Sequence, residues 1–192
     1  MRVYVVRHGE SRTNQKGLWT GWLDEPLTDK GRADAEKAAR FLSGIRFDKV
    51  YASDLQRASE TARIATKDSL FDTEIELTPI LREINVGDIA GKPLKSLTDA
   101  DRESIKKDGY GIFGGETNAE FRERLDKFNK ELEDSDMETV AVFTHAGWLR
   151  YFFDAVIGFR HDRDTVACNN CTIAIFEYKN SRWRMHSWIN LD

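Results

Sequence analysis

The sequence predicts an α/β protein: a single-domain, three-layer α/β/α sandwich with a mostly parallel central sheet and an antiparallel edge strand. Three observations lead there. The runs Val3-Tyr4-Val5-Val6 and Val140-Ala141-Val142-Phe143 are apolar without polar alternation, as strands covered on both faces should be. Both runs, and a shorter one from Lys49 to Ala52, lead toward segments with helical apolar spacing, the order that joins parallel strands by crossover helices. Cys171 to Tyr178 and Arg182 to Ile189 instead follow one another across a turn at Lys179-Asn180-Ser181, which makes an antiparallel sheet edge.

With 192 residues the chain is long enough for one well-buried domain and short for two. Its 29 Lys plus Arg against 33 Asp plus Glu leave a net charge of -4, which argues against a general nucleic-acid or membrane-surface binder. Any anionic substrate must be met by locally gathered cations. No apolar stretch approaches the ~18 residues of a membrane span, and the N-terminal run lacks the zones of a signal peptide, so a cytoplasmic protein is expected. Cys168 and Cys171 form a lone Cys-x-x-Cys that precedes a strand pattern and has no second pair. Reduced structural thiols are therefore expected rather than a redox or zinc site.

The first strand stops at Arg7-His8-Gly9-Glu10. In a parallel sheet the chemistry lies beyond the strand's carboxyl end, so this strand delivers a histidine, and Gly9 allows a sharp turn there. Ser11 to Gly21, with Trp19 and then Trp22, reads as a site-forming loop. Thr28 caps a helix whose apolar face holds Ala35, Ala38, Ala39 and Leu42, ending near Gly44. After the strand Lys49 to Ala52, Ser53 is expected to cap a helix through Leu55, Ala58, Ala62 and Ala65. Arg57 in its first turn would add to the positive field of the helix N-terminus.

Residues from Leu70 to Thr117 are the least regular, with a short strand expected at Ile75-Glu76-Leu77. Glu83 stands there between apolar Ile80-Leu81 and Ile84, a setting for a partly buried carboxyl group. Thr117 and Glu120 have capping-box spacing, and Phe121, Leu125, Phe128 and Leu132 form one apolar helical stripe, read as core. The run from Val140 then repeats the opening pattern. It ends in Thr144-His145-Ala146-Gly147 before an apolar helix through Leu149, Phe152, Phe153 and Val156.

Of four histidines, His8, His145, His161 and His186, two end buried strands. Together with Arg7 and Arg57 they describe a cationic pocket suited to phosphate, since arginine forks two N–H bonds onto phosphoryl oxygens and keeps its charge. A neutral imidazole at His8 is then a candidate nucleophile. The remaining work is positioning and charge stabilisation, plus a carboxyl group that protonates the leaving oxygen and later activates water. Glu83 is the first candidate; Glu10 and Glu116 are alternatives that spacing does not separate.

These residues carry a family resemblance over nearly the whole chain. Arg7-His8-Gly9-Glu10-Ser11 with Asn14, Pro26-Leu27-Thr28 with Gly31, Ser53-Asp54-Leu55-Gln56-Arg57-Ala58 with Thr61-Ala62, Leu81-Arg82-Glu83 with Gly87, Gly114-Gly115-Glu116-Thr117, and His145-Ala146-Gly147 with Arg150 occur in order. In these the chain resembles the histidine phosphatases of the phosphoglycerate mutase-like superfamily, and their small phosphatase branch in particular. The resemblance implies one domain over residues 1–192, with 70–117 forming a cap over the site. It implies His8 as phosphohistidine nucleophile, Glu83 as proton donor, and Arg7, Arg57 and His145 as phosphate ligands. Asn14, Gly21 and Ala146 are implied as further substrate-binding positions, and neither a metal nor another cofactor is implied.

The implied activity is metal-independent hydrolysis of a small phosphomonoester, α-ribazole phosphatase-like or of broad specificity. A cofactor-dependent phosphoglycerate mutase is the alternative, and Thr20-Gly21-Trp22 is mutase-like. Against it, Ile84-Asn85 follow Glu83 where those mutases carry Arg-His, and their longer proline-rich insertion is missing. A shortened cover favours hydrolysis, because a mutase must keep water from its intermediate. The segment Gly87-Asp88-Ile89-Ala90-Gly91 also lacks the Trp and Glu that small phosphatases often place there. A non-catalytic phosphate-binding or interaction module is a third reading, against which intact His8 and Glu83 speak.

Overall fold

The computed structural model describes residues 1–71, 74–158 and 166–191. In chain order its elements are β1 (Arg2–Arg7), α1 (Arg12–Gln15), α2 (Asp29–Leu42), β2 (Lys49–Ser53), α3 (Gln56–Ala65), β3 (Glu76–Thr78), α4 (Asp99–Asp108), α5 (Asn118–Glu133), β4 (Thr139–Thr144), α6 (Ala146–Ile157), β5 (Ile173–Lys179) and β6 (Arg182–Ile189). The six strands form one sheet in the order β3-β2-β4-β1-β5-β6. Pairs from β3 to β1 are parallel, and β5 and β6 extend the sheet as an antiparallel hairpin. Asn180 and Ser181 turn that hairpin with φ of 53° and 57°, the left-handed pair that a two-residue turn requires.

Side-chain alternation along β1 divides the core in two. Val3 and Val5 enter one cluster with Phe121, Leu125, Phe128, Trp148 and Phe152 of α5 and α6. Tyr4 and Val6 enter the other, with Ala35, Ala38, Ala62 and Ala65 of α2 and α3. The period-two geometry of a strand explains why the run has no polar member: both faces are covered. Small alanines on the second face let α2 and α3 lie close to the sheet. Among the described residues no helix is long and apolar enough to cross a membrane.

Thr28 and Thr117 cap their helices as expected, the latter in a capping box with Glu120. Ser53 does not. It is the last residue of β2, α3 starts at Gln56, and the N-cap is Leu55 without a side-chain bond. The hydroxyl is engaged elsewhere, by His145. The loop from Ser11 contains the short helix α1, whose capping box pairs Ser11 with Asn14. Residues 70–117 hold a full helix, α4, started by a Thr98–Asp101 capping box. Its only buried residue is Ile105, so it shows no apolar stripe. β3 lies one residue later than the expected strand.

One contact fixes the turn after β1. A Cβ on Gly9 would stand 2.3 Å from the Gly31 carbonyl oxygen, and one on Gly31 would stand 2.1 Å from that of Glu10. Two glycines thus let the first turn of α2 press against the backbone leaving β1, which aims His8.

Candidate active site

Beyond the carboxyl ends of β1 and β4 lies a cavity of about 640 Å³, whose walls include Arg7, His8, Asn14, Gly21, Arg57 and Glu83. His8 is 4% exposed. Its Nδ1 lies 2.6 Å from the Gly9 carbonyl oxygen. A carbonyl only accepts, so the ring proton sits on Nδ1 and Nε2 keeps its lone pair. Burial holds the His8 pKa well below 6.5, and the charges of Arg57 and Arg7 push in the same direction. At neutral pH the imidazole is uncharged.

Arg57, 1% exposed, is aimed by three acceptors. Its Nη1 donates to the Leu23 carbonyl and Nη2 to that of Gly21, both at 2.8 Å, and Nε donates to His8 Nε2 at 3.3 Å. Burial brings its pKa down to about 10, against the opposing pull of Glu83, so it stays a cation at neutral pH. Arg7 donates through Nη1 to the Cys168 carbonyl, while its buried Nε has no partner among the described residues.

His145 is fully buried with its ring centroid 5.0 Å from that of His8. It does not line the cavity, although its neighbours Ala146 and Gly147 do. Its Nε2 lies 2.9 Å from Ser53 Oγ, which already accepts the Leu55 N–H at 3.3 Å. A hydroxyl both donates and accepts, so this contact fits either tautomer of His145, whose Nδ1 is buried without a partner among the described residues. Burial, then Arg57, keeps the pKa of His145 well below 6.5 as well.

Two histidines held neutral have a consequence for stability. Their folded pKa values lie below the unfolded value near 6.5, so below that pH the unfolded chain binds protons that the folded chain refuses. Their contribution is complete above pH ~6.5 and is lost as pH falls, by up to about 1.4 kcal/mol per pH unit for each. Thermal melts from pH 7 to 5 should show a falling midpoint, and His145→Gln should flatten that slope. A slope unchanged by the substitution would refute the assignment.

Glu83 lies close enough to both arginines for its charge to oppose the lowering of their pKa values. Its Oε2 accepts the Gly147 N–H and its Oε1 that of Ile84, each at 3.0 Å. Its backbone is clamped too. Arg124 donates to the carbonyls of Ile80, Arg82 and Glu83 while pairing with both Glu116 oxygens, and Trp22 Nε1 donates to the Glu83 carbonyl at 2.7 Å. A Cβ on Gly147 would fall 2.2 Å from Glu83 Oε1. Gly147→Ala should therefore displace the carboxyl group and lower kcat by about 10- to 100-fold, the cost of an ångström of misplacement. Steady-state rates on a fold checked by circular dichroism test this.

Glu10 and Glu116 are committed elsewhere. Glu10 accepts from Thr28 Oγ1 at 2.8 Å, Glu116 takes the Asn85 N–H and Arg124, and neither lines the cavity. Asn14 does line it, with Oδ1 held by the Ser11 N–H at 3.2 Å. Of the loop tryptophans only Trp19 faces the cavity. Asn170, which sequence reasoning passed over, also lines it and donates to the His8 carbonyl at 3.1 Å. Lys106, Arg122 and Arg150 on the wall were passed over as binding residues because they come from three separate helices.

His186 pairs with Glu177 on the sheet edge, and His161 lies outside the described residues. Cys168 and Cys171 are free and buried, and burial pushes both thiols up. Among the described residues, His, Cys, Asp and Glu nowhere gather in a group of three that would hold a metal ion.

The mostly parallel sheet thus delivers two neutral histidines to one end, where buried arginines and a carboxyl group gather at one cavity. The chain belongs to the histidine phosphatase superfamily (branch 1), whose model matches residues 3–191. It is 30% identical over 164 residues to the adenosylcobalamin/α-ribazole phosphatase of Escherichia coli K12, covering 82% of this chain and 80% of that one. It is 46% identical over 92 residues to a 2,3-bisphosphoglycerate-dependent phosphoglycerate mutase of Bartonella henselae, covering 46% and 45%. The chain spans about half the length of several curated relatives it matches, the mutase among them. The solved structure of a candidate α-ribazole-5'-phosphate phosphatase from E. coli superposes with a TM-score of 0.86 at 26% identity, over 99% of this chain and 97% of that one.

Proposed function

We propose that the chain is a metal-independent phosphomonoesterase acting through a phosphohistidine. The observation that carries this is the neutral His8 imidazole with its Nε2 lone pair unprotonated, sharing one cavity with buried Arg7 and Arg57 and with Glu83. In the first step the Nε2 lone pair attacks phosphorus, the P–O ester bond breaks, and the leaving oxygen takes the proton of Glu83. In the second step the Glu83 carboxylate takes a proton from water, whose oxygen attacks phosphorus. The P–N bond then breaks and its electron pair returns to Nε2. Arg7 and Arg57 stay charged and bear the equatorial oxygens, a preorganised arrangement that needs no rearrangement during transfer. His145 backs His8, and Asn14, Gly21 and Ala146 line the wall the phosphate meets.

Residues 70–117 act as the cap, since Glu83, Ile84, Val86, Leu94, Lys106 and Tyr110 from this stretch line the cavity. The two free buried thiols favour work in the cytoplasm. The test is rapid quenching after mixing with a labelled monoester. Acid-labile, base-stable label on the protein, unaffected by a chelator, is expected; turnover that the chelator stops would refute the reading.

The local match to a mutase favours a second reading, interconversion of phosphoglycerates after priming with bisphosphoglycerate. Isomerisation that outruns phosphate release would establish it.

A further inference from the structure

The turn from Cys168 to Thr172, which leads into β5, is bonded to the end of β1 at several points. The Cys168 carbonyl accepts from Arg7 Nη1, the Thr172 carbonyl accepts the Arg7 N–H at 3.0 Å, and the Cys171 N–H donates to the His8 carbonyl at 3.3 Å. The Asn170 side chain adds a second donor to the His8 carbonyl, at 3.1 Å, and the same Nδ2 lies 3.4 Å from Asn14 Oδ1. An amide nitrogen carries two hydrogens, so it serves both oxygens at once. Asn170 and Asn14 both line the cavity.

A second observation lies in the backbone. Cys171 has a φ of 56°, a left-handed conformation that a residue other than glycine keeps only where its surroundings over-determine it. Its side chain is fully buried and its N–H is spent on the His8 carbonyl. On the other side the Asn169 N–H donates to Asn190 Oδ1 at 3.2 Å, which ties the turn to the residue after β6. The turn is held in one shape, and that shape sets where the Asn170 amide points.

The Asn14 oxygen is then engaged twice, by the Ser11 N–H at 3.2 Å and by Asn170. This leaves the Asn14 NH2 as the end offered to a bound molecule, a donor for a phosphoryl oxygen. We propose that Asn170 is a positioning residue for phosphoryl transfer: it fixes the Asn14 amide with its NH2 toward the phosphoryl group and, through the His8 carbonyl, steadies the turn that carries the nucleophile. This rests on the phosphatase reading.

The experiment compares Asn170→Ala with Asn170→Asp in the full chain, using an aryl phosphate. Aspartate keeps the size of the side chain but has no N–H, and it sets a carboxylate against two acceptors, the His8 carbonyl and Asn14 Oδ1. The Asn14 amide would turn over and present its oxygen to the phosphoryl group. Alanine should lower kcat by about 10- to 100-fold, the cost of misplacement by about an ångström, and aspartate at least as much, with cooperative melts retained. A merely space-filling role predicts the opposite order. In an Asn14→Ala background Asn170→Ala should cost several-fold less than in wild type, because one of the two groups it acts through is gone. An aspartate variant more active than the alanine one, or a cost that is the same in both backgrounds, would overturn the role. Should the alanine variant not fold, Asn170→Asp measured with and without Asn14→Ala supplies the second comparison. Wild type separates the two failures. If it hydrolyses the aryl phosphate through His8 while these comparisons fail, only the role of Asn170 falls; if it hydrolyses no monoester, the phosphatase reading falls with it.

Discussion

Replacing His8 with alanine is expected to cut hydrolysis of an aryl phosphate by on the order of 10⁵- to 10⁶-fold, the scale on which removal of a covalent nucleophile acts. Among the described residues no other side chain is placed to substitute. Cys168 also lines the cavity, but burial pushes its thiol up, so it is protonated at neutral pH and a poor nucleophile. The variant should lose the trapped phosphoenzyme altogether while melting cooperatively. A His8→Ala protein that keeps more than a few per cent of activity, or still takes up label, would remove His8 from the mechanism.

Glu83→Gln should slow turnover by about 10²- to 10⁴-fold for an alkyl ester, the range for losing a positioned general acid. The loss should be smaller for a nitrophenyl ester, whose leaving oxygen departs without a proton. Glutamine keeps the size of the side chain and still offers Oε1 to an N–H, so the cavity survives. What it lacks is the proton for the first step and the base for the second. With the activated ester the phosphoenzyme should therefore accumulate, because water is no longer activated to cleave it. Equal losses on the two esters without accumulation would pass the acid–base role to another group.

Most of the sheet was legible because its strands are covered on both faces, which writes an unbroken apolar run into Val3 to Val6 and Val140 to Phe143. The capping box of Thr117 and Glu120 was legible because it is local chemistry, although those at Ser11 and Thr98 went unread. Other features were hidden for physical reasons. Ser53 has the residue type and position of an N-cap, yet the hydroxyl turns to His145, 92 positions away in sequence, and no local pattern records that pairing. Helix α4 buries only Ile105, so its periodicity carries no signal. What separates Glu83 from Glu10 and Glu116 is that it alone of the three lines the cavity, a product of folding that spacing along the chain does not record. Arg124 was overlooked beside the apolar stripe of its own helix, although its guanidinium reaches three carbonyls of the segment from Ile80 to Glu83.

That arginine also draws a border through the molecule. The carbonyls of Ile80, Arg82 and Glu83 are tied through Arg124 to α5 and Asn85 is tied to Glu116, whereas residues 86–113 leave the clamp, pass along the cavity and come back to it at Glu116. Substitutions in that excursion can reshape what enters without moving the acid that serves it. Grafted excursions from relatives should thus exchange substrate preference while the pH dependence of the chemical step stays put, which makes this stretch the natural unit for redesign.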